Sequence, residues 1–221
     1  MVTVIFKTPQ DLFHAAAEDF TKRAIAAIHK NNSFNVVLSG GETPHYFFDM
    51  LVNIPYCKEK TPWNKIKFFF GDERYVPSDN ILSNYHMAYQ HLFSKVPILP
   101  ENIYKIPTTN KNPQESAQQY ELLIHDIKLD LVYLGLGEDG HTASLMPVNR
   151  PKENFSRVTL SAATLNNSGC IIFLVTGDNK ASAVHAVLKG PNEPHKYPAQ
   201  LIHCSNGKTI WYLDEAAAKN L

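Results

Sequence analysis

The chain has little of what marks out several large classes of protein. Of its 221 residues only three are cysteines, Cys57, Cys170 and Cys204. They form no close pair and their count is odd, which argues against a disulfide framework and against a cysteine-rich zinc site. A reducing cytoplasm is the compartment this predicts. Neither sign of charge is in excess: 21 Lys and Arg stand against 21 Asp and Glu. No global field is available to hold nucleic acid or an anionic membrane, so an anionic ligand has to be gripped by local charges. The chain contains no run of 18 apolar residues, and the opening MVTVIFKTPQDLF has no apolar stretch of signal-peptide length. Ten histidines include no HExxH and no His pair four apart, so no metal is expected. Internal repeats and low-complexity segments are also missing.

What is present is the composition of one globular domain over residues 1–221, 44% hydrophobic and 19% charged, with no linker to divide it. Short apolar runs at residues 2–6, 34–38, 66–70, 129–134, 158–160, 170–176 and 209–213 read as strands. Between them lie helical stretches. Thr8-Pro9-Gln10-Asp11 has a Thr cap, Pro at the first helical position and an acid in the first turn, opening a helix to about Lys30. Further helices are expected from near Pro44 and over residues 84–92, 113–127 and 179–188. Strands alternating with helices predict an α/β fold, a mostly parallel open sheet covered on both faces.

Three strand ends carry unusual polar loops, and ligands of such sheets sit at the carboxyl ends of the strands. The most informative is GLGEDGHTASLMP, residues 135–147, after the apolar run that ends at Leu134. Gly135, Gly137 and Gly140 leave the N–H groups of the turn open to an anion or a carbonyl oxygen. His141 is expected near the first turn of a following helix, with Asp139 close enough to orient it. In SGGETP, residues 39–44, Gly40 and Gly41 open the backbone, and Thr43 is placed to cap a helix or bind an oxygen. In GDERYVPSDNILSN, Asp72 and Arg74 are two apart and share a face, as a carboxylate and a guanidinium at a pocket edge would. Taken singly, each has a plainer reading: a surface cap, an ordinary Ser/Thr helix start, a strand surfacing into solvent.

Together, LSGGETP, FFFGDERYVPSDNILSNYHMA, LDLVYLGLGEDGHTASLMP, SRVTLSAATLN, VTGDNKASAV and WYLDEAAA resemble the glucosamine-6-phosphate isomerase/6-phosphogluconolactonase family, and in particular its lactonase branch. The blocks stand in the family's order and span residues 38–218. The resemblance implies the three-layer fold shared with glucosamine-6-phosphate deaminase and ribose-5-phosphate isomerase. It also implies hydrolysis of a phosphosugar lactone in the oxidative pentose phosphate pathway, without metal or organic cofactor.

Carried over by position, it makes His141 the general base toward the lactone carbonyl, with Asp139 and Asp72 as polar neighbours. An ordinary imidazole pKa of about 6.5 suits that task. The same resemblance assigns the phosphate to Gly40, Gly41 and Thr43 with Arg157 and Lys180. Arg157 and Lys180 would otherwise pass for two of 21 solvated basic residues. Glu42, where such loops usually carry Ser, Thr or Arg, is expected to point away from the phosphate.

Two rivals share the fold. A glucosamine-6-phosphate deaminase typically continues its His loop with Ala-Phe-Asn-Glu-Pro, whereas Thr142-Ala143-Ser144-Leu145-Met146-Pro147 stands here. A sugar-phosphate sensor of the transcription-regulator type would need a DNA-binding segment ahead of the first strand, which is expected at about residue 2. The expected partner is therefore a small phosphosugar lactone, with no nucleic acid or membrane. Oligomeric state is left open, and a monomer is compatible with the reading.

Overall fold

Six of the seven apolar runs become strands of the main sheet of the computed structural model, which describes residues 1–148 and 153–221. In chain order the elements are β1 (Val2–Phe6), α1 (Pro9–Asn31), β2 (Phe34–Leu38), α2 (Glu42–Asn53), α3 (Pro55–Lys60), β3 (Ile66–Phe70), β4 (Asp72–Arg74), α4 (Asn84–His91), β5 (Ile103–Tyr104), α5 (Pro113–Ile124), β6 (Leu131–Leu134), β7 (Arg157–Thr159), α6 (Ala162–Asn166), β8 (Cys170–Val175), α7 (Ala181–Leu188), β9 (Lys208–Asp214) and α8 (Glu215–Ala218). Seven strands pair in the order β1-β9-β8-β6-β2-β3-β5, every pairing parallel. All of β6 and β8 is buried, as a sheet covered on both faces requires. The packing is aromatic as well as aliphatic, with Phe173 stacked on Trp211 at 3.8 Å. Truncating a core phenylalanine such as Phe69 to Ala would cost about 3–5 kcal/mol.

Local signals explain the helix ends. Thr8 accepts a hydrogen bond from the Asp11 N–H at 3.1 Å, and Asn32 closes α1 in the left-handed conformation, φ 60°. Leu12, Ala16, Phe20 and Ala24, one per turn, form its buried stripe. Helices α1 to α4 pack on one another, and α7 packs on α8. No described helix is long and apolar enough to cross a membrane. All three cysteines are free.

The chain leaves β2 toward β3 on one side, while β6 leads to β8 and β9 on the other. The order therefore reverses between β2 and β6, and the crevice beyond their carboxyl ends is the topological switch point. Residues 39–44 and 135–141 follow these two strands.

The structure corrects five expectations. The strand expected at residues 158–160 is β7, which lies outside the main sheet and pairs antiparallel with β4, Asp72 opposite Thr159 and Arg74 opposite Arg157. Helix α2 starts at Glu42, ahead of Pro44, so Thr43 lies inside the helix and is not its cap. Residues 178–180 form a single 3-10 turn before α7, and α5 stops at Ile124. Among the described residues no helix lies between His141 and β7: residues 142–145 close a tight turn with Ala143 at φ 48°.

Candidate active site

The turn after β2 is set by close approach. A Cβ at Gly40 would stand 1.7 Å from Asn84 Oδ1, so only glycine fits there. Gly41, at φ 109°, is the N-cap of α2 and supplies no side-chain cap. The first intrahelical bond is His45 N–H to Gly41 C=O at 3.3 Å. The N–H groups of Glu42 and Thr43 thus have no intrahelical acceptor, the condition that draws anions to helix starts. Thr43 Oγ1 lies 3.4 Å from Thr176 Oγ1, which ties α2 to the end of β8. Gly177 follows at φ 99°, its N–H held by the buried Asp214 carboxylate at 3.1 Å, and Lys180 stands one turn further on.

The ribbon of β4 and β7 carries the charged residues. Asp72 is 4% exposed; Asn84 Nδ2 donates to its Oδ1 at 3.1 Å, Ser144 Oγ donates to its Oδ2 at 2.6 Å, and Arg157 approaches it to 3.6 Å. Glu73 is turned inward and accepts four bonds, from Arg74 N–H (2.7 Å), Asn84 N–H (2.7 Å), Tyr85 N–H (2.9 Å) and Ser83 Oγ (2.9 Å). It therefore anchors the start of α4. Burial pushes its carboxyl up from the usual range, and the four donors oppose that.

The guanidinium within ion-pair distance of Asp72 is that of Arg157, while Arg74 is near enough to feel the Asp72 charge. Arg74 donates to Leu82 C=O at 2.6 Å, and burial lowers its pKa. Arg157 is bidentate to Glu153, at 2.6 and 2.9 Å, and lies over the Phe155 ring.

His141 belongs to a turn closed on itself. Gly137 N–H donates to His141 C=O at 2.8 Å and Gly140 N–H to Gly137 C=O at 3.0 Å, so these two glycine N–H groups are used within the turn. A Cβ at Gly137 would fall 1.9 Å from His141 Nδ1. That nitrogen lies 2.5 Å from Asp139 Oδ1, which also accepts the His141 N–H at 3.2 Å. A carboxylate only accepts, so Nδ1 is the nitrogen that carries a proton toward Asp139.

One open cavity of about 900 Å³ at the switch point gathers these parts. Gly40, Gly41, Thr43, Asp72, Arg74, His141, Arg157 and Lys180 line it. Asp139 acts on it through His141. Glu42 is exposed and also lines the cavity. Asp72 contacts Asn84, Ser144 and Arg157 rather than His141. Sequence reasoning did not single out Asn84, Ser144, Glu153 or Asp214. Asn84 lies in the SN pair of the DERYVP block, and its signal was there; Ser144 and Asp214 reach the site through tertiary contacts, and Glu153 through Arg157 four residues on.

The family described as glucosamine-6-phosphate isomerases/6-phosphogluconolactonase matches residues 7–211. The chain belongs to this family. It is similar to a 6-phosphogluconolactonase of Synechocystis, 34% identical over 233 aligned positions that cover 96% of this chain and 95% of the relative. Among solved structures it resembles the 6-phosphogluconolactonase of Thermotoga maritima, with a TM-score of 0.82 and 28% identity over 96% of this chain and 99% of that one. A monomeric glucosamine-6-phosphate deaminase superposes with a TM-score of 0.88 over the whole of both chains, and at 20% identity this shows a shared fold only.

Proposed function

We propose that residues 1–221 form one catalytic domain that hydrolyses 6-phospho-D-glucono-1,5-lactone to 6-phospho-D-gluconate in the oxidative pentose phosphate pathway, with His141 as general base. The observation that carries the mechanism is the 2.5 Å contact between His141 Nδ1 and Asp139, in the same cavity as an uncapped helix start and Lys180. Nε2 takes a proton from water as the water oxygen bonds to the lactone carbonyl carbon. The tetrahedral intermediate then collapses, the bond to the ring oxygen breaks, and His141 returns the proton to that oxygen. The new carboxylic acid ionises in water. Asp139 fixes the tautomer and stabilises the imidazolium between the two steps.

The phosphate falls to the start of α2, Thr43 and Lys180, with Arg157 as a further cation. Each charge-assisted contact contributes about 1.5–3 kcal/mol, enough for a pair of cations and a helix start to hold a dianion in a protein of zero net charge. Arg74 Nε and Asn84 Oδ1 are buried without partners, a donor and an acceptor suited to sugar hydroxyls. The substrate is a small molecule, and the reading calls for no metal, organic cofactor or nucleic acid.

The test is hydrolysis of freshly generated 6-phosphogluconolactone, corrected for spontaneous opening, beside an assay of ammonia release from glucosamine 6-phosphate. Lactone turnover without ammonia release is expected. Ammonia release without lactone turnover would overturn the proposal.

A further inference from the structure

A second cluster of reactive side chains lies where α2 meets α4. His45 and Asp49 are one turn apart on α2, and His91 is the last residue of α4. His45 Nε2 stands 3.2 Å from Asp49 Oδ2, and His91 Nδ1 stands 3.0 Å from Asp49 Oδ1. One ligand atom from each of the three lies within 4.8 Å of the others. Metal–ligand bonds of roughly 2.0–2.2 Å place the corners of a tetrahedron about 3.3–3.6 Å apart, so little movement separates this arrangement from a coordination shell. The Tyr46 ring stacks on His45 at 4.9 Å and 6°, which fixes the imidazole plane. The three side chains are 33%, 30% and 25% exposed, open enough for an ion to enter and walled enough to hold their rotamers.

The geometry points to a divalent-metal site formed by His45, Asp49 and His91, open to water at its remaining coordination position and joining α2 to α4. Two imidazoles and one carboxylate select Zn²⁺, Co²⁺ or Ni²⁺ over Mg²⁺ and Ca²⁺, which take oxygen ligands. On binding, each neutral ring moves its proton to the nitrogen facing away, so His45 Nε2 and His91 Nδ1 present lone pairs. Lys95, 3.5 Å from Asp49, is the competing cation and has to be displaced. The site joins the helix that starts at the glycine turn to the helix that starts at Asn84. Asp49 and Tyr46 also line the cavity, so an ion there would brace its wall, and the inference stands apart from the lactonase reading.

The experiment is a titration of the full chain at pH 7.5, with Co²⁺ followed by visible absorption and with Zn²⁺ by calorimetry, together with a melting curve with and without Zn²⁺. Saturable binding and a rise in Tm are expected, since an ion that binds only the folded state stabilises it. His45→Ala and His91→Ala should each weaken binding at least about tenfold, given that losing even a supporting contact to a ligand costs 10–100-fold. Lys95→Met should tighten it. His141→Ala should leave it unchanged, which separates this site from the cavity's own histidine. Circular dichroism confirms that each variant is folded. Absence of binding at millimolar metal, or binding that survives both histidine changes, or binding lost in His141→Ala, would overturn the inference.

Discussion

On the ribbon and His141 side of the cavity the charged groups already have partners inside the protein, while across it the first N–H groups of α2 have no intrahelical acceptor. Asp72 is held by Asn84, Ser144 and Arg157, Glu73 by four donors, and His141 by Asp139. Across the cavity, α2 has no side-chain cap, and Lys180 makes no ion pair with a described residue. On the proposed function, the difference follows from two tasks. Groups that move protons must be held in one geometry before substrate arrives, and groups that bind an anion do best when the anion itself completes their hydrogen bonds.

The largest effect expected from breaking this contrast is at His141. His141→Ala should lower kcat by about 10²–10⁴, the range for removing a positioned general base, with phosphate-dependent binding retained. Asp139→Asn should cost less, since it disturbs orientation and leaves the imidazole in place. A kcat above about a third of wild type in folded His141→Ala would make the imidazole a structural cap.

Next comes Glu73. Replacement by Ala strands the N–H groups of Arg74, Asn84 and Tyr85, and should lower unfolding stability by about 3 kcal/mol, read from the urea midpoint. A loss below about 0.5 kcal/mol would show that water replaces the carboxylate and that the ribbon is not pre-set by it.

Lys180→Ala probes the open side. Loss of one charge-assisted contact should raise KM by about 10- to 100-fold for the phosphorylated lactone with kcat nearly kept. Arg157→Ala should act in the same direction and by less, because Glu153 and Asp72 already engage that guanidinium. The smallest effect is assigned to Glu42→Gln. A screened surface charge moves KM by less than about twofold, and a tenfold tightening would mean that Glu42 faces the phosphate.

Much of the scaffold was legible because burial leaves a pattern. The strands β2 and β3 are apolar runs closed by glycine turns, and their bounds were read to the residue. The β4 ribbon strand escaped because Asp72, Glu73 and Arg74 carry no apolar alternation; its pairing depends on β7, far along the chain. Where a helix was expected directly after His141, residues 142–145 form a bridge with Ala143 at positive φ, which no turn residue in the sequence announces. The site's polar loops were legible as glycine turns after strands, and their residues do meet in one cavity. The pairing within it was not legible. Asp72 and Arg74 looked like a clamp from their spacing; the ribbon register sets Arg157 opposite Arg74, and the Arg157 side chain reaches diagonally to Asp72 at 3.6 Å. His45, Asp49 and His91 form no motif because their ligand atoms come from two helices.

The most direct test of the division of labour measures kcat/KM for 6-phosphogluconolactone and for unphosphorylated gluconolactone, in wild type, Lys180→Ala and His141→Ala. Losses for Lys180→Ala confined to the phosphorylated substrate, and comparable losses on both for His141→Ala, are the predicted result. Equal losses on the two substrates for Lys180→Ala, or a His141→Ala loss seen only with the phosphorylated one, would contradict it.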